Sequence, residues 1–292
     1  MTSGRGVGAG LRPGSNTLGE VLRLSTEHLA AKGSETPRLD AERLLAKALG
    51  LERIELYMAI ERPLTPPELD AARGLVARRA RREPLQYVLG EWGFRRLTLT
   101  VDRRALIPRP ETEVLVERAL ALLAGVHQPR VLDVGTGSGA IALAIADEHP
   151  GAVVTGIDVS VEALSLAAEN ASRTGITVEL ASHDLFLGLP DGPWHLVVAN
   201  PPYVDAAELD GLDPEVRDWE PHGALVAEGA VEAVAVAAAA VLVPGGALAL
   251  EVGEGQSPAV ATLLSDLGYA SIRIIPDLAG RDRVVEARFQ PY

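Results

Sequence analysis

The spacing of apolar residues along the chain changes character near residue 84. Before it, apolar positions recur every three or four residues, the period of an amphipathic helix. Thr17 with Glu20 reads as a capping box, the apolar spacing continues through Leu29, and Gly33 stops it. A second helix is predicted from about Pro37 to Leu49, ended by Gly50. Thr65-Pro66-Pro67-Glu68 then supplies a cap, a proline at the first helical position and a capping-box glutamate, ahead of a helix reaching about Arg82. From Pro84 to Pro110 the period shortens. FRRLTLTV (94–101) alternates as a strand does, and Leu106-Ile107-Pro108-Arg109-Pro110 is a rigid connection. Pro110 opens a further helix that ends near Gly125.

Beyond residue 129, short apolar runs alternate with helical patterns. Strands are predicted at 130–134, 152–158, 177–182, 194–200, 246–252, 269–275 and 283–289, the last two as an antiparallel pair. Helices are predicted over 139–147, 160–173, 229–242 and 256–267. Near-continuous apolar strands flanked by helices imply a parallel sheet covered on both faces. The expected fold class is therefore α/β. It is a Rossmann-like sheet, mostly parallel with an antiparallel C-terminal strand, preceded by a small helical domain. The expected division is a disordered tail over 1–15, a helical domain over 16–83, a linker with a short β-hairpin over 84–110, and the α/β domain over 111–292.

Composition narrows the chemistry. The 292 residues include no cysteine, which excludes disulfides, thiolate metal ligands and a cysteine nucleophile. The six histidines lack metal-ligand spacing, and no metal is expected. The Gly-rich first sixteen residues have no continuous apolar core, unlike a signal peptide, and the alanine-rich run at 230–243 is too short to span a bilayer. A cytoplasmic protein without membrane attachment is expected. The net charge of −13 argues against a nucleic-acid binder. Residues 71–110 run against that balance, with ten arginines facing only Glu83, Glu91 and Asp102. Such a run reads as a solvated face or as a site for an acidic or RNA-associated partner.

Between the first strand of the α/β region and its helix lies Asp133-Val134-Gly135-Thr136-Gly137-Ser138-Gly139. Glycines there let the backbone turn sharply and approach a ligand. Asp158 ends the next strand, where a carboxylate can hold both hydroxyls of a ribose. The loop alone leaves two cofactors open, because Gly135, Gly137 and Ala140 also fit the dinucleotide pattern G-x-G-x-x-A. Asp133 favours S-adenosylmethionine (SAM): a carboxylate before the glycines repels a pyrophosphate but suits the methionine ammonium. Asp184, after the third strand, suits an adenine amino group or caps a helix end.

The fourth strand stops at Asn200, and Asn200-Pro201-Pro202-Tyr203 follows at the carboxyl edge of the sheet, where ligands bind in such folds. The Asn200 side-chain oxygen and the Pro201 carbonyl can each accept one hydrogen of a planar NH₂ group. Tyr203 can pack flat on that group, and its ring favours a nearby sulfonium. Nothing in the segment supplies the acid/base partner that hydride chemistry would need.

Asn-Pro-Pro-Tyr in this position is similar to the signature of methyltransferases acting on planar nitrogens. Further motifs resemble one family among them, HemK/PrmC: Arg82-Glu83-Pro84-Leu85-Gln86-Tyr87-Val88-Leu89-Gly90, Leu106 to Glu113, Glu220-Pro221-His222-Gly223-Ala224-Leu225, Glu251-Val252-Gly253 with Gln256, and Asp277 to Arg283. The resemblance implies a SAM-dependent enzyme that methylates the glutamine amide of the Gly-Gly-Gln motif in peptide chain release factors, yielding S-adenosylhomocysteine. It implies that the helical domain helps to dock that substrate; a monomer is expected. SAM contacts would come from Asp133, Gly135, Thr136, Gly137, Ser138, Gly139, Asp158, Asp184, Leu185 and Asn200. Asn200, Pro201 and Tyr203 would be catalytic, and with Pro202 would hold the glutamine. Leu185 departs from the aromatic residue that relatives often place beside the adenine. Glu111 and Glu113 resemble a pocket-lining acidic pair, a position equally suited to a helix N-terminus. The competing expectations are a ribosomal-protein glutamine as target, DNA adenine methylation, or SAM binding without catalysis.

Overall fold

The computed structural model describes residues 16–290. The tail expected over 1–15 lies outside them. The chain divides at Leu89 and Gly90 into two compact units.

The first unit is helical: α1 Leu18–Ala31, α2 Pro37–Leu49, α3 Arg53–Met58, α4 Pro66–Arg79 and α5 Leu85–Leu89. Leu18, Leu22, Leu29, Leu44, Leu45 and Leu56 form its core with no exposed surface. The Thr65–Glu68 capping box is complete. At Thr17 only half forms, its hydroxyl accepting from Glu20 N at 3.3 Å. Gly50 ends α2 at φ +63°, a left-handed conformation that glycine tolerates. The helix expected to reach Arg82 stops at Arg79, and Arg82 itself has φ +64°. α3 and α5 are additions to the sequence-based picture.

The second unit opens with a hairpin of β1 Glu91–Phe94 and β2 Leu97–Thr100. The alternating run 94–101 is therefore two strands, broken where Arg95 turns at φ +52°. The elements that follow are α6 Pro110–Leu122, β3 Arg130–Val134, α7 Ala140–Glu148, β4 Val153–Asp158, α8 Val161–Thr174, β5 Glu179–Ser182 and β6 Trp194–Ala199. Then come α9 Pro214–Arg217, α10 His222–Leu225, α11 Ala230–Val241, β7 Leu242–Glu251, α12 Ser257–Asp266, β8 Tyr269–Pro276 and β9 Asp282–Phe289.

The seven strands run in the order β5-β4-β3-β6-β7-β9-β8. β5 through β7 are parallel, and β9 lies antiparallel between β7 and β8. Alternation sends neighbouring residues to opposite cores. Val131, Val198 and Ala249 pack with α6 and α7, whereas Leu132, Val197 and Leu248 pack with α11 and α12. The sheet is thus buried on both sides, as its apolar strands require. Strand order reverses between β3 and β6, which opens a crevice at their carboxyl ends.

The arginine-rich stretch is not a bare cationic face. In the first unit Arg78 pairs with Glu83 at 2.5 Å and Arg79 with buried Asp40 at 2.7 Å. In the second, Arg95 pairs with Glu148 at 2.6 Å, Arg104 with Asp102 and Glu169, and Arg109 with Glu220, while Arg103 stacks on Trp219. Much of this charge is paired internally, while Arg73, Arg78 and Arg96 keep exposed side chains. Among the described residues, no helix is long and apolar enough to cross a membrane.

Candidate active site

The crevice holds a cavity of about 370 Å³, within the range of small-molecule sites. One wall is the loop from β3 to α7. Gly135, Gly137 and Gly139 all have positive φ, which excludes Cβ-bearing residues without strain. The loop is pinned to β4: Gly135 N and Thr136 N donate to Ile157 O at 2.8 and 2.9 Å, and Gly137 N donates to Asp158 Oδ2 at 2.9 Å. Gly156 is part of this fit, because a Cβ there would lie 2.7 Å from Thr136 Oγ1.

Asp158 also accepts from Ser160 N at 2.9 Å through Oδ1. Each carboxylate oxygen has a further lone pair, so both can still accept from a diol in the cavity. Asp184 caps the turn at 185–187, its Oδ1 accepting from Phe186 N at 2.9 Å, and also faces the cavity. Capping and lining therefore coexist there. Leu185 lines the cavity, and so does Phe186, which sequence reasoning passed over. Phe186 supplies an aromatic ring one position after the expected one.

Two expected cofactor contacts do not reach the cavity. Asp133 has no exposed surface; its Oδ2 accepts from the Thr136 hydroxyl at 2.6 Å and from Ala142 N at 3.2 Å. It braces the loop from behind, and burial pushes its carboxyl up to about 7. Gly139 caps α7, and a Cβ would meet Ala167 Cβ at 3.2 Å, so its role is helix packing.

The opposite wall is the segment after β6. Asn200, Pro201 and Pro202 line the cavity. Asn200 Nδ2 donates to Thr112 Oγ1 at 3.2 Å, and Oδ1 has no hydrogen-bond partner among the described residues. Tyr203 is not among the residues that line this cavity. Its hydroxyl faces Glu251 Oε1 at 3.4 Å, and its carbonyl accepts from Gln256 Nε2 at 3.0 Å. Burial, then the Glu251 charge, pushes the phenol up to about 12, so it stays protonated. The flat packing expected of Tyr203 is thus not a feature of this cavity wall.

Of the acidic pair flanking Thr112, Glu113 accepts from Arg95 N at 3.1 Å and neither glutamate lines the cavity. The lining residue is Thr112 between them. The motifs at 106–113 and 220–225 prove to be one structure: Glu220 accepts from Arg109 and from Ile107 N, closing the rim. Only the residue types, not their pairing, were visible in the sequence.

Strand order, glycine loop and Asn-Pro-Pro-Tyr segment together define a SAM-dependent methyltransferase of the Rossmann-like class. Residues 20–90 match the family model described as the PrmC N-terminal domain, and residues 111–212 the methyltransferase small domain. The release factor glutamine methyltransferase of Geobacter sulfurreducens is 45% identical over 278 residues, covering 93% of this chain and 96% of that protein. That of Deinococcus radiodurans is 44% identical, covering 93% and 98%. The 16S rRNA N2 G1207 methyltransferase of T. Thermophilus, solved with AdoMet and guanosine, shares the fold, with a TM-score of 0.50 at 20% identity over 68% of this chain and 50% of that one. The chain belongs to the release factor glutamine methyltransferase family.

Proposed function

We propose that this protein transfers a methyl group from SAM to the side-chain amide nitrogen of the glutamine in the Gly-Gly-Gln motif of peptide chain release factors. The observation that carries the reading is Asn200. Its NH₂ end is committed to Thr112, which leaves its oxygen as an acceptor on the cavity wall.

The residues present fit the cofactor. The positive-φ glycines admit a close ligand, Asp158 can accept from a ribose diol, and Asp184, Leu185 and Phe186 flank the place for the adenine. Bound there, SAM supplies a sulfonium-activated methyl group. The work left to the chain is orientation. An amide nitrogen is a weak nucleophile, and Asn200 Oδ1 with the Pro201 carbonyl would each accept one of its hydrogens, fixing its face. Such positioning can contribute up to about 7–11 kcal/mol. The same acceptors stabilise positive charge as it develops on nitrogen. No strong base is required, because the methylated nitrogen becomes acidic.

The surface supports a protein target over DNA, since the net charge is −13 and most arginines of 71–110 are already paired. A cytoplasmic, monomeric enzyme docking its substrate partly through the helical unit completes the reading. The test is incubation with labelled SAM and, separately, purified release factors, ribosomal proteins and DNA. Label on release factors alone is expected; label on DNA or ribosomal protein without release factor would refute the assignment.

A further inference from the structure

We propose that a second cavity, beside the first across Pro202, receives the acceptor polypeptide, and that Glu228 and Glu232 on its wall select a lysine or arginine close to the target glutamine. The proposal rests on the functional reading above and adds a determinant of substrate specificity to it.

The second cavity measures about 760 Å³ and is bounded by the segment after β6, the turn leading into α11, and α12. Pro202, Ala227 and Ala230 line both cavities, so the two meet at the clamp. Tyr203, absent from the first wall, lines the second. A glutamine side chain is short. An amide held at Asn200 and Pro201 therefore leaves the adjoining polypeptide beside Pro202, where the second cavity begins.

The chemistry of the lining points to a cationic side chain. Val226, Val231, Val260 and Leu263 make much of the wall apolar. Asp205, Glu228 and Glu232 add three carboxylates, and among the described residues no lysine, arginine or histidine lines this cavity. Glu228 and Glu232 are exposed, and neither side chain has a hydrogen-bond or ion-pair partner among the described residues. An apolar wall with carboxylates open to water suits lysine and arginine, whose aliphatic stems lie on apolar surface while the charged head stays hydrated. A metal ion fits less well, because among the described residues no three carboxylates or histidines are grouped to hold one.

The cavity is preformed by its own hydrogen bonds. Gln256 donates to the Tyr203 carbonyl at 3.0 Å and accepts from Gly253 N at 3.0 Å. A Cβ on Gly253 would crowd both, at 3.0 Å from Gln256 Oε1 and 3.2 Å from Tyr203 Cδ2. Val204 N donates to Leu225 O at 3.1 Å, which ties the segment to the end of α10. Asp205 Oδ1 accepts from Ala207 N at 2.8 Å, so that carboxylate is partly committed to its own turn. Glu228 and Glu232 are the two left wholly to a ligand. A wall already in place spares the substrate the cost of ordering it.

An exposed ion pair is worth up to about five-fold in affinity and is screened by salt. A pair that forms on binding and persists through methyl transfer acts on KM and leaves kcat alone. Glu232 also sits in the first turn of α11, where negative charge is favoured. That helix effect acts on stability and would not move KM.

The experiment measures KM, kcat and SAM affinity with a release factor, at low and high salt, for wild type and Glu228→Gln/Glu232→Gln. Asp191→Asn/Asp266→Asn is the control, since both carboxylates are exposed and line neither cavity. Glu228→Gln/Glu232→Gln is expected to raise KM about five-fold or more at low salt and less at high salt. Its kcat and SAM affinity should stay within about two-fold of wild type, and the control should keep the wild-type KM. Replacing the lysines and arginines that flank the acceptor glutamine should raise KM for wild type, and far less for Glu228→Gln/Glu232→Gln. An unchanged KM in Glu228→Gln/Glu232→Gln, an equal rise in the control, or enzyme and substrate effects that simply add would overturn the proposal. Wild type that methylates another acceptor and leaves the release factor unmodified would refute the functional reading instead, and the same KM comparison on that acceptor then decides the proposal.

Discussion

At the scale of single residues, Asn200 carries the chemistry. Asn200→Ala removes the acceptor that aims the substrate nitrogen but touches the cofactor wall little. Loss of one such preorganised group costs about 10²–10³-fold in kcat. That drop is expected in single-turnover assays, with SAM affinity by calorimetry nearly unchanged; equal losses in both would place Asn200 in cofactor binding instead. Two further residues, Asp133 and Glu251, make stability depend on pH. Burial raises both carboxyls to about 7 in the folded protein, against about 4 in an unfolded chain. The folded state then holds protons that the unfolded state releases. The stabilising contribution is complete below about pH 4 and is lost as pH rises through about 7. Asp133→Asn removes one of these groups, so its melting temperature should fall less than wild type's between about pH 5 and 8. Parallel curves would contradict the assignment. Asn200 and its prolines were legible because they are contiguous and chemically distinctive. Thr112, Glu251 and Gln256 stood in recognisable motifs, but where they meet was not legible, because they lie on separate elements and converge only when the sheet forms.

At the scale of elements, the glycine loop shows how tightly backbone geometry and binding are linked. Gly156 sits on β4, outside the recognisable motif, yet it leaves the space that Thr136 fills. Gly156→Ala would force that loop to shift, an overpacking change that typically costs about 1–3 kcal/mol. SAM affinity by calorimetry should weaken by about ten-fold or more, as a shift of 1.4 kcal/mol implies. Unchanged affinity would mean that the loop yields without disturbing the site. Strands and long helices were readable from periodicity to within a few residues, since two buried faces demand continuous apolar runs. The short helices α3 and α5 escaped because one or two turns carry no clear period. The hairpin turn at Arg95-Arg96 escaped because neither residue signals positive φ.

At the scale of the whole molecule, each unit has its own core, and the cavity is built from second-unit residues alone. Saturation with SAM at about 100 times Kd should stabilise its binding unit by about 2.7 kcal/mol. Hydrogen exchange should then slow at 130–160 and 183–203 and remain unchanged within α1, α2 and α4. Protection confined to those helices would contradict the placement of the cofactor. The two-unit division was foreshadowed by the change in hydrophobic period, whereas the internal pairing of the arginine stretch could not be read from its charge. The most direct test of the central claim is tandem mass spectrometry of a release factor after incubation with this protein and SAM. The account predicts a single added methyl group on the side-chain nitrogen of the Gly-Gly-Gln glutamine. Methyl transfer to any other residue, with that glutamine unmodified, would contradict it.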